Sequence, residues 1–315
     1  MQTRRLLLGV AASSIVLLTA CGSSDSSSSA ADGGSSAAPS GKGTVRISGQ
    51  NFPEAEIVAD MYAAVLQKAG YTPQVKLVGT RDVYMATFPK SIDVVPEYVG
   101  GIVNFLISKD KGADATLPTT SDPAKAISAA KSELDSAGIS LLNPSPANDT
   151  NAFFVTKEYA SQNNVTKLSD LEGKSVVLAA APDCQGRVDC EGGLAKTYGI
   201  NVTKIISLDF GSQQVFDSVK KGESQLGETS STDGTVDSQG DVLLADDQHI
   251  QPAQNLVPMV STAFLKAHPD VADPLNQLMA KLTTDDLVKL NAEVSVDRQK
   301  PEDVAQQWLS DAGLV

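Results

Sequence analysis

Histidine is nearly absent from this chain. Only His249 and His268 occur in 315 residues, and neither has a cysteine or acid pattern around it that would complete a metal site. With two histidines a Ser-His-Asp arrangement has little to build from. The G-x-S-x-G, H-E-x-x-H, phosphate-loop and G-x-G-x-x-G signatures are missing as well. Adjacent acids do occur, at Asp246-Asp247 and Asp285-Asp286. Such neighbours in loops or at a helix start serve as solvated or capping groups. These absences argue against an enzyme. Basic residues are also short: Lys and Arg number 25 against 38 Asp and Glu, a net charge of −13. A body this acidic is a poor partner for nucleic acid or for an anionic membrane face. Aromatic residues make up only 5% of the chain, so any ring-lined site has few rings to draw on.

What is present begins at the N-terminus. Arg4 and Arg5 precede a mostly apolar run, 6–18, that is too short to span a bilayer comfortably. Residues 1–20 therefore read as a signal peptide. The run ends on Leu18-Thr19-Ala20-Cys21, which resembles a bacterial lipobox with Cys21 as the lipidated first residue. The other reading is an ordinary signal peptide with an incidental cysteine. Residues 21–43 are Ser-, Gly- and Ala-rich and cannot bury a core. They read as a flexible tether that spans roughly a few tens of ångströms. Removing Arg4 and Arg5 with the leader brings the net charge to −15. The remaining cysteines, Cys184 and Cys190, lie in "APDCQGRVDCEGG" among turn formers. In an exported protein this even pair is expected to form a disulfide that shapes a small loop and stabilises by about 2–3 kcal/mol at most.

The body, 44–315, is long enough for two domains. "TVRISG", "TPQVKLVG" and "IDVVPEYVGG" read as strands alternating with helices that start at Pro53 and near Thr80. The pattern recurs in "KSVVLAA", "GGLAKTYG", "TKIISLD", "SQQVFDSVKKG" and "SQLGETS". A helix is expected over 122–138, and the tail reads as a strand in "NLVPMVSTAFL" followed by helices. Trp308 reads as a packing residue. The fold class is α/β with two lobes, 44–147 plus 262–315 and 148–261, joined by Pro- and Asn-rich crossings. Ligands of such sheets bind beyond the strands' carboxyl ends. Here those ends carry Gln50 and Asn51, Thr80, "PEYVGG", "AAPDCQGR", "LDFGSQQ" and "SSTDG". Pro96 is expected to end its strand's ladder, and Gly100-Gly101 to form a turn free of side chains.

Several stretches, in order, resemble the glycine betaine/choline-type substrate-binding lipoproteins of bacterial ABC importers. They are "GQNFPEAEIVADMY", "IDVVPEYVGG", "NDTNAFFV", "STDG" and "VLADDQHIQPAQNLVPMV". The resemblance implies a type II periplasmic-binding-protein fold with the ligand between the lobes. It implies capture of a quaternary-amine osmolyte by lobe closure, a permease with its ATPase as partners, and no cofactor or metal. It also implies a monomer on the extracytoplasmic face, attached to the membrane through its lipid alone. A quaternary ammonium is held by the faces of aromatic rings, and by resemblance Tyr98 is one wall. The family's crossover tyrosine is here Asn151, and its later helix aromatic is Phe216. Phe52, Tyr84, Phe153 and Phe210 are further rings. Arg187 stands where the family carries an arginine able to bind a ligand carboxylate, or is an exposed loop residue. Asn148, Asp149 and Thr150 read as turn or hinge formers or as ligand contacts. Thr232 and Asp233 read as caps or contacts, and so do Gln50 and Asn51. Asn151 and Phe216 leave room for a more polar or an aromatic small molecule in the same transport role. A lipid-anchored enzyme of this fold is the third reading.

Overall fold

A computed structural model describes residues 41–112 and 115–315. The leader, Cys21 and nearly all of the tether lie outside the described residues. Gly41–Val315 forms one compact unit.

The chain runs β1 (Thr44–Gln50), α1 (Pro53–Lys68), β2 (Thr72–Val78), α2 (Arg81–Met85), β3 (Val94–Tyr98), α3 (Val99–Lys111), α4 (Pro123–Ala129), α5 (Lys131–Ser136) and β4 (Ile139–Leu141). It crosses into β5 (Asn151–Thr156), α6 (Lys157–Asn163), β6 (Ser175–Ala180), α7 (Glu191–Lys196), β7 (Asn201–Ser207), α8 (Gln213–Lys220), β8 (Leu226–Ser230), α9 (Val236–Gln239) and β9 (Asp241–Leu244). It returns through β10 (Leu256–Ser261), α10 (Thr262–Ala267), α11 (Ala272–Met279), α12 (Thr284–Ser295) and α13 (Pro301–Asp311). Two five-stranded sheets result, ordered β2-β1-β3-β10-β4 and β7-β6-β8-β5-β9. Helices cover both faces of each. On one side of the first sheet, Ile57, Met61 and Leu66 of α1 meet Leu275, Leu287 and Leu309 of the last helices. Trp308 packs at the edge of that cluster.

α1 shows why the local sequence folds as it does. Pro53 occupies a first-turn position where its missing N–H costs nothing. Glu54 and Glu56 lie at the positive end of the helix dipole and Lys68 at the negative end. Gly70 leaves the helix at φ +97°.

Four expectations are corrected. First, Pro96 does not end its ladder. β3 pairs with β10 through Leu256↔Tyr98, and Pro96 lies opposite Pro258. The Pro258 carbonyl accepts from Leu142 N at 3.0 Å, away from β3. The two prolines therefore meet at a non-hydrogen-bonded pair, where neither needs an N–H toward the other. Second, Gly100 and Gly101 are in the first turn of α3, not in a free turn. A Cβ on Gly100 would sit 2.6 Å from the Ala253 carbonyl oxygen, and one on Gly101 would sit 2.5 Å from the Arg81 guanidinium. The crossing that fills this space also satisfies the helix's open amides. Val99 N donates to Asn255 O and Gly100 N to Ala253 O, and Gly101 N donates to Gln254 Oε1. Third, β10 belongs to the first sheet, so the return crossing runs through 245–255 and the expected limit at 261 falls one strand late. Fourth, the expected 122–138 helix is broken at Ala130 into α4 and α5.

The two crossings lie side by side. Asn148 and Asn255 form an antiparallel bridge. Asp149 N donates to Gln254 O, and Gln254 N to Asn148 Oδ1 at 2.9 Å.

Replacing Gly100 with alanine is expected to destabilise the protein by about 1–3 kcal/mol, because backbone must move to admit the methyl. Urea denaturation reads this, and an unchanged midpoint would show that the crossing yields freely.

Candidate functional site

Residues 97 and 98 point to opposite sides of β3, as successive strand residues must. Glu97 is buried and accepts from Arg81 Nε at 2.8 Å and Nη2 at 3.0 Å, from the Tyr84 hydroxyl, and from Tyr98 N. This ion pair fixes the strand end beneath the site. Tyr98 faces the other way and is half-buried. Its ring stacks with Phe52, centroids 6.4 Å apart and planes 23° apart. Its hydroxyl donates to Glu54 Oε1 at 2.5 Å. Asn291 on α12 donates from Nδ2 to Glu54 Oε2 at 2.7 Å and to the Thr232 carbonyl at 2.9 Å. A residue after the second sheet's β8 is thereby tied to the start of α1. Gly234 makes the approach possible, because a Cβ there would collide with the backbone of α12 at Ala292.

Two carboxylates meet here. Glu54 is 4% exposed. Burial pushes its carboxyl up to about 7, and the nearby charge of Asp149 adds to this. Hydrogen bonds from Tyr98, Asn291 and Thr232 oppose the shift. Asp149 is also raised, chiefly by burial and further by Asp233, against hydroxyl contacts from Ser230 and Thr232. Protonation of one carboxylate depends on the state of the other.

Asp149 also lines a cavity of about 210 Å³ together with Thr150, Asn151, Arg187, Phe210 and Gln251. A neighbouring space of about 460 Å³ shares Thr150, Asn151 and Gln251 and adds Asn148 and Phe153. Of the residues expected at the site, Tyr98, Thr232, Asn148, Thr150, Asn151 and Arg187 thus gather around the crossings. Arg187 is held by two acids. Nε and Nη2 donate to Asp189 at 2.9 and 2.7 Å, and Nη1 to Asp183 at 2.8 Å. Asn148 commits Oδ1 to the other crossing. Asp233 accepts from Thr235 N and Oγ1 and from Thr229 Oγ1, which holds the turn. Gln50 ends β1, Asn51 is exposed, and neither caps α1, whose cap residue is Phe52. Thr80 is exposed at the start of α2.

Phe216 lies elsewhere. It is 3% exposed and stacks on Phe154 at 4.5 Å in the core beneath α8. The helical period turns Val215, Phe216 and Val219 inward together. Phe210, 45% exposed, is the second sheet's ring at the cavity. Tyr84 is buried on Glu97. Sequence reading missed Glu54, Gln251 and Asn291. Glu54 carried a signal, an acid at the carboxyl end of β1. Asn291 carried none, since its partners lie 59 and 237 positions away.

The sulfurs of Cys184 and Cys190 are within bonding distance, and both residues are fully buried. Their loop wraps the start of α7, where a Cβ on Gly192 would lie 2.6 Å from the Gly186 carbonyl oxygen.

Two α/β lobes with this strand order, paired crossings and a polar cavity at the strand ends define a type II substrate-binding protein. A family profile described as the substrate binding domain of the ABC-type glycine betaine transport system matches residues 43–311, and the chain belongs to that family. It is 26% identical over 284 residues to a glycine-betaine-binding protein of Pseudomonas aeruginosa, covering 86% of this chain and 89% of that one. It is 25% identical over 287 residues to the carnitine transport binding protein OpuCC of Listeria monocytogenes, covering 86% and 87%. The fold matches apo YehZ of Escherichia coli with a TM-score of 0.72 at 24% identity, over 86% of this chain and 99% of that one. The protein is therefore an extracytoplasmic substrate-binding protein of an ABC importer, with a small-molecule ligand and the importer's permease and ATPase as partners. No helix among the described residues is long and apolar enough to cross a membrane.

The raised acids set a pH dependence. A carboxyl whose folded pKa exceeds its unfolded value holds its proton more tightly when folded, so the stability it contributes is lost as pH rises. For Glu54 that window runs from its ordinary 4.5 to about 7. Asp60 and Asp241, each raised to about 6 chiefly by burial, act in the same direction. The ligand-free protein is expected to melt at higher temperature at pH 5 than at pH 8. Glu54→Gln should flatten that trend, and calorimetric melts of both proteins across the range would show an unchanged slope if Glu54 has no part in it.

Proposed function

We propose that this protein captures a quaternary-amine osmolyte of the glycine betaine, choline and carnitine class, and delivers it to the permease by closing its lobes. The observation that carries this reading is the stacked Tyr98–Phe52 pair, whose Tyr98 hydroxyl meets Glu54, with the nearby Asp149 carboxylate lining the crossing cavity. A quaternary ammonium offers no hydrogen bond. It is attracted to ring faces and to fixed negative charge instead. Phe210 supplies a ring from the second lobe, and Thr150 and Asn151 supply polar contacts. The mature protein starts at a lipidated Cys21, acts as a monomer, and keeps Cys184 and Cys190 oxidised. Alkylation of exported protein without reductant is expected to label neither of those two thiols, and labelling of both would remove the disulfide.

Isothermal titration calorimetry against the three osmolytes tests the function, and absence of heat and of any thermal shift with all of them would remove it. Tyr98→Ala is expected to weaken binding more than tenfold, in keeping with about 2 kcal/mol for a desolvated cation–π contact. Its melt should remain cooperative. Unchanged affinity would make Tyr98 a structural residue.

A further inference from the structure

The lining of the crossing cavity is unbalanced in two ways. Its charged groups are Asp149, Arg187 and Asp189. The guanidinium of Arg187 has Nε and Nη2 on Asp189 and Nη1 on Asp183, so its charge is already matched. A ligand carboxylate would find only the remaining Nη hydrogens, beside two acids that already neutralise the charge. Among the described residues no cation balances Asp149. Its described partners are the hydroxyls of Ser230 and Thr232, and its charged neighbours are the acids Glu54 and Asp233. The adjoining space adds the acids Asp246 and Asp285 and no base.

The second imbalance is in hydrogen bonding. Gln251 lines both spaces and is 5% exposed. Its Nε2 donates to the Asp189 carbonyl at 2.8 Å, which fixes the orientation of the amide. Its Oε1 is buried and has no donor among the described residues. An orphaned buried acceptor costs free energy that a donating ligand recovers.

We infer that the cleft selects a ligand of net positive charge that carries a hydroxyl donor and no carboxylate, a cationic amino alcohol such as choline. Asp149 is the specificity-determining charge and Gln251 Oε1 accepts the hydroxyl. A betaine fails on both counts: it has no donor for Gln251, and its carboxylate meets Asp149 and a guanidinium already engaged. This rests on the osmolyte reading above and narrows it.

Wild-type protein is titrated calorimetrically with choline, glycine betaine and tetramethylammonium, the last being a cation without the hydroxyl. Choline is expected to bind at least tenfold tighter than either of the others. Glycine betaine binding as tightly as choline overturns the inference and leaves the osmolyte reading intact, whereas binding of none removes both. Asp149→Asn is expected to weaken choline at least tenfold and glycine betaine less than threefold. An unchanged ratio of the two affinities in folded Asp149→Asn removes Asp149 as the determinant. If that variant does not fold by circular dichroism, Gln251→Met decides: choline should fall to the level of tetramethylammonium, and retained preference for choline overturns the role of Gln251.

Discussion

The pairing of β10 with β3 is the constraint on which the rest of this molecule depends. A strand from late in the chain enters between β3 and β4 in a sheet whose other members come early. The chain must therefore leave the first sheet, build the second and come back. Outgoing and returning segments emerge at adjacent points and are bonded to each other. The same return delivers Ala253, Gln254 and Asn255 to the amides at the start of α3, which holds Tyr98 at the lip of the crossing. The ring, the paired crossings and the cavity are thus products of one topological decision.

Electrostatics then divides the work of the acids by what faces each of them. Glu97 and Glu54 are both nearly inaccessible, and both receive a tyrosine hydroxyl. Glu97 has the guanidinium of Arg81 and belongs to the scaffold. Glu54 has amide and hydroxyl donors with another carboxylate nearby, so its charge is held at a cost that a bound cation would relieve. The overall acidity of the chain hides this distinction, which exists only in three dimensions.

The alternation of strands and helices was legible because its signals are local. Proline and acids open α1, β-branched runs make the strands, and Gly138 closes the helical stretch before β4. Misreadings arose where the deciding neighbour is distant. Pro96 looks like a terminator until Pro258 is placed opposite it. Gly100 and Gly101 look like a turn until Ala253 and Arg81 occupy their missing side chains. Phe216 was matched to the site by resemblance, yet its own helix turns it onto Phe154. Tyr98 was read at the end of its strand, and it lies there with its ring on Phe52 and its hydroxyl on Glu54. Its partner Glu54, and the Asn291 that binds Glu54, come from helices whose docking no short motif encodes.

The paired crossings have a mechanical consequence. Two segments bonded edge to edge behave as a two-ply strip. Such a strip flexes readily about one line across its width, but shear and torsion would break the bonds between the plies. With Asn148 and Asp149 fastened to Gln254 and Asn255, a book-like swing about that strip is the motion that leaves these bonds intact.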